Sequence, residues 1–245
     1  MLNYLKTFLL CNVSLGSAII TCGTMISFTK FISHINYNNI TLNHTTDYND
    51  DYWYELHKPG LINLSLILVF LIQHSVLNPV FKKVMTLLQL QVLERSIFNI
   101  FSSVTLLILM RFWISTGNHS IWEINVYDNN LLWMLFTGIQ VLGWVIIYID
   151  SLVMDVSCKL GIKQVYYHLT GRPDPYSQKT HELNELTSKI PHSLVGFLMV
   201  LWIYPHMSMD RFLLAVVLSL FLFICMDADE NMYNYILEQS RKKRL

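Results

Sequence analysis

Long apolar runs alternate with short polar segments along the whole of this 245-residue chain. Six runs stand out. The first and fourth are long enough to cross the hydrocarbon core of a bilayer, which takes about 20 helical residues, and the fifth is the shortest. Membrane strands would show alternating segments of about ten residues, and these are absent, so the pattern predicts helices. The predicted spans cover residues 8–31, 61–80, 96–114, 131–154, 191–204 and 212–226.

The composition excludes several classes of protein. Hydrophobic residues make up 53% of the chain and charged residues only 14%, whereas a soluble domain carries about 25% charged residues. Net charge is formally zero, so no basic field for nucleic acid is predicted, and no CxxC pair indicates a thiolate zinc site. The predicted fold is therefore an all-α, multi-pass transmembrane helical bundle that forms one domain, with the lipid bilayer as its predicted partner.

The distribution of basic residues predicts the orientation of the bundle, because cytoplasmic loops of membrane proteins carry an excess of Lys and Arg. Thirteen of the seventeen Lys and Arg residues lie in residues 1–7, 80–95, 156–189 and 229–245. The other four, on the opposite side, are Lys30, Lys58, Arg111 and Arg211. Both termini are therefore predicted to lie on the cytoplasmic or nuclear side, with a lumenal loop at 33–60 and a cytoplasmic or nuclear loop at 156–190.

Glycosylation sequons agree with this orientation, since acceptor asparagines must reach the lumen. Three of them fall in loops predicted to be lumenal, at Asn39, Asn43 and Asn118, and two more, at Asn12 and Asn63, fall inside or near spans. The chain ends in a basic tetrad followed by one leucine. This tetrad is interpreted either as a topology anchor that binds anionic lipid or as a targeting signal.

Ionisable residues in or beside the membrane are candidates for function, because they are expensive to place in lipid. His74, late in the second predicted span, either ligates a metal or haem iron or hydrogen-bonds across helices. Asp229 and Glu230, which follow the sixth span, either hold the amine and ribose of a cofactor or form an ordinary solvated face.

The segment Lys163–His168 is amphipathic and aromatic, and it lies beside the membrane in the largest predicted cytoplasmic loop. It either lies in the headgroup layer or lines a pocket, which would make Gln164, Tyr167 and His168 candidate cofactor contacts. The chain has no Walker loop, no GxGxxG and no HExxH motif. A soluble-type nucleotide or zinc-protease site is therefore not predicted.

From about residue 60 to residue 245 the chain resembles the nurim family of multi-span membrane proteins. Its most specific landmarks are Gly161–His168, which contains KQVYYH, and Asp210–Ala215. The resemblance implies a multi-pass protein of the inner nuclear membrane, with the continuous endoplasmic reticulum membrane as the alternative. The other landmarks are Gln73-His74-Ser75, Arg95-Ser96, Arg111-Phe112-Trp113, Val200-Leu201-Trp202, Pro205 and Asp229.

The nurim family in turn resembles the isoprenylcysteine carboxyl methyltransferases, which use S-adenosylmethionine inside a membrane bundle. This resemblance implies a membrane methyltransferase in which His192, Asp229 and Glu230 hold the cofactor. Those enzymes carry Arg-His-Pro at the start of the penultimate helix, whereas this chain has Lys-Ile-Pro-His over residues 189–192. The missing arginine removes charge-assisted bonds to the cofactor, and Lys189 replaces it only as a point charge.

A second distant resemblance is to the NnrU-like proteins, some of which resemble a haem-containing carotene isomerase. It implies haem as the cofactor, with His74 and His192 as axial ligands. The reversed order of Pro and His turns His192 by about 100° around a helix. The leading hypothesis is thus a nurim-like membrane protein that is structural or of unproven activity; a methyltransferase is the first alternative and a haem-binding protein the second.

Overall fold

The computed structural model describes residues 2–33, 51–116, 120–126, 129–153, 156–172 and 192–224. The helices of this part are α1 (Leu2–Ser33), α2 (Asp51–Leu71), α3 (Leu77–Leu87), α4 (Glu94–Phe112), α5 (Asn130–Val153), α6 (Val156–Lys159), α7 (Ile162–Leu169), α8 (His192–Trp202) and α9 (209–224). A π-helical segment, Ile72–Val76, joins α2 to α3, and a 3-10 turn, Gln91–Leu93, precedes α4. Two short strands, β1 (Ser120–Glu123) and β2 (His206–Ser208), pair antiparallel.

Four helical stretches in the described part are long and apolar enough to cross a membrane: Tyr4–Ser33, His57–Leu87, Gln91–Phe112 and Asn130–Leu152. The shortest of them has 22 residues, so at 1.5 Å per residue it measures about 33 Å, against a hydrocarbon core of about 30 Å. Large apolar side chains are exposed along these helices. Such a surface is unfavourable in water but is expected of helices that face lipid. The prediction of an all-α membrane protein is confirmed. The stretch Ser193–Trp202 is a shorter apolar helix.

The helical run of the second span extends beyond its predicted limits at both ends. Helix α2 begins at Asp51, inside the segment 33–60 predicted to be a loop, and α3 continues to Leu87, past the predicted end at residue 80. Hydropathy marks only the apolar part of a helix, and in α3 only Met85 is buried while Lys82 and Lys83 are exposed. The same reason applies to α6 and α7, which lie inside the predicted loop 156–190.

Small side chains bring α1 and α4 close together. Ser14, Ser17 and Ala18 of α1 are buried, and the Ser17 hydroxyl donates to the carbonyl oxygen of Ser96 at 2.7 Å. The Ser103 hydroxyl of α4 donates to Thr21 of α1 at 3.4 Å. Between helices in lipid, close backbone approach and interhelical hydrogen bonds stabilise a contact that the hydrophobic effect does not. The α1–α4 contact is therefore built on small and hydroxyl-bearing residues.

Two glycines allow α5 and α8 to pack backbone against backbone. A Cβ on Gly143 would lie 2.7 Å from Val200 Cγ2, and a Cβ on Gly196 would lie 2.7 Å from the carbonyl oxygen of Gly143. Gln140 Nε2 donates to the carbonyl oxygens of Val200 at 3.1 Å and Ile203 at 2.9 Å. These carbonyls lie at the end of α8, where helical partners run out. Helix α8 is thus held along its length by α5.

The two ends of the bundle differ in structure. At one end, which we call the ribbon end, α1 and α4 finish and β1 pairs with β2. Here Ile32, Ile147 and Ala215 belong to one buried cluster that joins α1, α5 and α9. At the other, which we call the short-helix end, α1 begins and α7 packs on it through Leu10 and the buried Val165. The predicted lumenal side corresponds to the ribbon end.

Candidate functional site

Asp210 is the centre of a polar network at the ribbon end. It is only 5% exposed, and a buried carboxylate is costly unless hydrogen bonds satisfy it. Its Oδ2 accepts from Trp113 Nε1 at 2.9 Å, and its Oδ1 accepts from the backbone N–H and the hydroxyl of Thr116 at 3.1 and 2.8 Å. The Asp210 backbone N–H donates in turn to Thr116 Oγ1 at 3.0 Å. The network fastens the end of α4 to the start of α9.

Arg211, the next residue, connects α9 to the end of α1. One of its terminal nitrogens donates to the carbonyl oxygen of Ile32. Its guanidinium carbon lies 3.4 Å from the centre of the Tyr204 ring, a cation–π contact worth about 2 kcal/mol where water is excluded. The Nε donor of Arg211 is buried and has no hydrogen-bond partner among the described residues. Arg211 therefore holds three chain segments together, and one of its donors, Nε, is left without a partner among the described residues.

A cavity of about 770 Å³ lies beside this network, between α1, α4 and α9. Its size falls within the range of about 300–1,000 Å³ that ligand pockets occupy. Its wall includes Asp210 and Arg211 together with two further cations, Lys30 and Arg111, whose side chains are exposed. The apolar part of the wall includes Phe31, Leu107, Met110 and Leu214.

Asn63 forms a clasp between α2 and the segment that follows α4. Its side chain is fully buried, its Nδ2 donates to the carbonyl oxygen of Ile114 at 2.7 Å, and its Oδ1 accepts from the Ile114 backbone N–H at 2.9 Å. The backbone of Ile114 lies beyond the last turn of α4, where intrahelical partners are missing. The sequon asparagine at this position is thus committed to a structural role.

The π-helical segment carries a second polar network. It lies within His57–Leu87, the longest of the four membrane-length helical stretches. Gln73 Nε2 donates to Ser102 Oγ at 3.3 Å, and the Thr105 hydroxyl donates to Gln73 Oε1 at 3.2 Å. His74 Nδ1 lies 3.3 Å from Ser102 Oγ. π-Helical turns inside α-helices occur frequently at functional sites. Here the irregular turn directs two polar side chains of the α2–α3 run towards α4.

The His74 ring is surrounded by aromatic side chains. It stacks on Phe70 with ring centres 5.6 Å apart and lies 5.7 Å from Phe98 in a tilted arrangement. Together with the contact to Ser102, this is the environment of a histidine that bonds across helices, one of the two interpretations open from the sequence. The side chain of His192, the other predicted axial ligand, lies outside the described residues. The haem pair stays a prediction.

A clamp at the short-helix end holds the turn between α6 and α7. Gly161 has φ +84°, and a Cβ there would lie 2.5 Å from Ser96 Oγ and 2.9 Å from the Ser96 backbone nitrogen. Asn99 Nδ2 donates to the carbonyl oxygen of Lys159 at 2.9 Å. Desolvation lowers the pKa of Lys159 below its ordinary value, Asp150 opposes this shift and Arg95 adds to it. The turn is thus pressed directly onto the start of α4.

Of the three predicted cofactor contacts on α7, Gln164 and Tyr167 make local contacts and His168 is exposed. Gln164 Nε2 donates to the carbonyl oxygen at the end of α6, 3.0 Å away. The ring of Tyr167 lies 5.7 Å from Lys163 Nζ and 5.8 Å from the Arg172 guanidinium carbon. These side chains support the helix and its ends. No residue of α6 or α7 lines the 770 Å³ cavity, which lies at the ribbon end.

The remaining members of the predicted methyltransferase site lie beyond what the structure describes. Asp229 and Glu230 are outside the described residues, and for His192 only the backbone, at the start of α8, is described. Their convergence with α7 therefore stays a prediction. Within the described stretches, no group of three or more His, Cys, Asp and Glu side chains is placed to hold a metal ion.

The ribbon-end network was not among the site residues predicted from the sequence. Asp210 entered only as a landmark of the family resemblance, Arg211 as a landmark and as one of the basic residues on the predicted lumenal side, and Thr116 and Tyr204 not at all. A usable signal was nevertheless present in the charge distribution. Lys30, Arg111 and Arg211 depart from the positive-inside distribution, and all three line the same cavity.

Comparison with known proteins gives a consistent set of relatives. The chain is 33% identical over 190 residues to a protein of Drosophila pseudoobscura pseudoobscura named Nurim homolog, covering 77% of this chain and 75% of that protein. It is 31% identical over 185 residues to human Nurim, covering 74% and 70%, and 29% identical over 245 residues to cattle Nurim, covering 96% and 93%. No family model matches the chain. No solved structure matches it either.

Proposed function

Because the chain belongs to the nurim family, we propose that it is a multi-pass protein of the inner nuclear membrane with a structural role. The relatives from fly to human support the family, and the four membrane-length helices support insertion in a bilayer. The structural role is supported by the contacts that the landmark residues make between helices.

The landmark residues make contacts that join helices distant in sequence, and those at the ribbon end also line the cavity there. Trp113 donates to Asp210 across the ribbon end. Gly161 is packed against Ser96 at the short-helix end. In the middle of the bundle, the landmark stretch around His74 bonds to α4. These residues hold helices distant in sequence in one arrangement, as expected of a family that maintains a scaffold in the membrane.

We further propose six crossings with both termini on the cytoplasmic or nuclear side. Helix α8 runs beside α5 and ends at the ribbon end, where α9 begins, so these two helices serve as the fifth and sixth passes. The thirteen basic residues of the alternate loops and termini then all lie on the side of the short-helix end.

Imaging of the tagged full-length chain tests the location. The plasma membrane is permeabilised selectively, and the nuclear-rim signal is compared with the reticular signal before and after the nuclear envelope is opened. Inner nuclear membrane residence predicts a rim that antibody against a cytoplasmic or nuclear-side tag detects only after the envelope is opened. A reticular signal of equal intensity throughout the cell would contradict the proposal and favour the endoplasmic reticulum.

A variant without the terminal basic tetrad separates location from topology. Replacing residues 241–244 by glutamine removes four positive charges from the predicted cytoplasmic tail. If the tetrad is a targeting signal, the rim signal falls while the tag stays on the same side of the membrane. If it is a topology anchor, the tag becomes accessible from the lumenal side in part of the molecules.

A further inference from the structure

Three exceptions to the positive-inside distribution meet in one place. Of the four basic residues on the ribbon-end side, Lys30 lies in the last turn of α1, Arg111 in the last turn of α4 and Arg211 in the first turn of α9. All three line the 770 Å³ cavity, and the fourth, Lys58, does not. Charges that oppose the topological bias carry a cost during insertion. Their convergence on one cavity indicates that they are retained there to bind something negative.

The cavity has positive charge and donors that its own residues do not use. Its single described carboxylate, Asp210, already accepts three hydrogen bonds from Trp113 and Thr116. Arg211 is held in place by Tyr204 and Ile32, while its buried Nε has no hydrogen-bond partner in the part of the chain that the structure describes. A fixed guanidinium with a free donor, beside two exposed cations, suits an anion with several oxygens, since planar arginine forks match phosphate geometry.

The other walls of the cavity are apolar and belong to membrane helices. Phe31 lies on α1, Leu107 and Met110 on α4, and Leu214 on α9. On α4 and α9 the charged lining lies at the helix ends, and the apolar side chains of Leu107 and Leu214 line the cavity about one turn further into the helices. This gradient is that of the boundary between headgroups and acyl chains, so a ligand that fits both parts is amphiphilic.

We propose that this cavity binds the phosphate group of an anionic phospholipid. The Arg211 side chain holds the phosphate from within, Lys30 and Arg111 close over its outer oxygens, and an acyl chain lies against Phe31 and Leu214. Free phosphate shares the recognised chemistry, but it would leave the apolar walls uncovered. The site is independent of whether the chain resides in the inner nuclear membrane or in the endoplasmic reticulum.

Native mass spectrometry of the full-length chain, purified in mild detergent, tests this proposal. The probes are dioleoylphosphatidic acid, dioleoylphosphatidylcholine and inorganic phosphate, added separately at equal concentration, and inorganic phosphate is also added as a competitor to the phosphatidic acid complex. The test variant is Lys30→Gln with Arg111→Gln, since both side chains are exposed and their loss leaves the packing intact. The control, Lys6→Gln with Lys58→Gln, also removes two positive charges, but from positions that do not line the cavity.

We expect phosphatidic acid to be retained in preference to phosphatidylcholine, and the double variant to weaken its apparent affinity about tenfold or more, as the loss of charge-assisted hydrogen bonds predicts. The control pair should retain the lipid like the unaltered chain. Equal retention of the two lipids, or equal weakening in the control, would overturn the proposal. Displacement of the lipid by an equal concentration of inorganic phosphate would identify free phosphate as the ligand and overturn the lipid assignment.

Arg211→Gln provides a second, independent measurement. This variant keeps a side chain that can donate to Ile32 but loses the charge, so retention of phosphatidic acid should fall further than in the double variant. If it does not fold, the double variant still decides the question. If it folds and retains the lipid unchanged, Arg211 does not contact the phosphate and the proposed site is wrong.

Discussion

The indole N–H of Trp113 donates to the carboxylate of Asp210 across 97 residues of sequence. Both belong to stretches on which the family resemblance rests, and the bond between them joins the two stretches in the fold. Trp113 also contacts Phe31 edge to face, with ring centres 5.6 Å apart. One side chain thus joins the ends of α1 and α4 to the start of α9.

Removing this bond should destabilise the fold. Trp113→Phe keeps an aromatic ring against Phe31 but leaves Asp210 Oδ2 without its donor, which should cost about 1–3 kcal/mol and lower the thermal midpoint by about 2–4 °C per kcal/mol. Asp210→Asn should cost at least as much, because an amide cannot accept all three bonds. Differential scanning fluorimetry in detergent measures both. Trp133→Phe, at an exposed tryptophan, is the control, and an equal loss there would remove the case for the network.

Gly161 should tolerate substitution far less than Gly171. Both have positive φ, +84° and +66°, but a Cβ at Gly161 overlaps Ser96 while a Cβ at Gly171 meets nothing within 4 Å. Gly171→Ala should therefore cost only the backbone strain of about 1–2 kcal/mol, and Gly161→Ala should lose that plus the contact of the α6–α7 turn with α4. Thermal stability and limited proteolysis measure the difference. Similar values for the two variants would show that the turn is not clamped.

Bulk at the α5–α8 crossing should separate the two helices. Gly143→Ala and Gly196→Ala each place a methyl group less than 3 Å from atoms of the facing helix. The control is Gly138→Ala, also on α5, whose added methyl group meets no atom within 4 Å. We expect reduced yield of folded protein for the first two, measured as the monodisperse fraction in size-exclusion chromatography. Gly138→Ala should behave like the unaltered chain, or be slightly more stable because alanine favours helix.

Glycosylation should report the predicted orientation. Asn39, Asn43 and Asn118 lie in loops predicted to face the lumen, so glycosidase treatment of the protein expressed in animal cells should increase its gel mobility. Replacing all three asparagines by glutamine should abolish that change. Asn63→Gln should not alter mobility, because its side chain is bonded to Ile114. A sequon appended after Leu245 serves as the opposite control. Modification of the appended sequon alone would show that the orientation is opposite to the predicted one.

His74 offers a direct test of the haem hypothesis. His74→Phe keeps the ring between Phe70 and Phe98 and removes only the contact with Ser102, so for a helix-contact residue we expect a stability change of about 1 kcal/mol or less. The visible spectrum of protein expressed with haem supplied is the second measurement. A Soret band in the unaltered chain that His74→Phe abolishes would instead establish His74 as an iron ligand.

The membrane helices were predictable from the sequence because lipid imposes one requirement that hydropathy records directly. The apolar runs behind α1, α4 and α5 therefore coincide with helices. The amphipathic helices α3 and α7 escaped this criterion, since half of their surface is polar. The polar network around Asp210 was not predicted for another reason. Asp210 and Thr116 are 94 residues apart in sequence, and no local pattern indicates that a carboxylate after one span will contact a hydroxyl after another.

Charge asymmetry carried more information about the site than any motif did. The three basic residues that depart from the positive-inside distribution were visible in the sequence, but their meeting depends on the order in which α1, α4 and α9 pack around the bundle. That order is set by small-residue contacts such as Ser17 against Ser96. Such contacts consist of common residue types at no distinctive spacing, so the sequence alone does not specify them.

The π-helical segment Ile72–Val76 accommodates one residue more than an α-helical turn would. Deleting a single residue there should restore regular α-geometry and rotate Phe81 and Met85 by about 100° relative to Asn63 and Ile67. Phe81 would then leave Phe98 and Phe101, against which it now packs. The extra residue thus fixes the phase between the two halves of this long helix. In evolutionary terms, the length of this stretch should resist insertion and deletion even where its side chains vary.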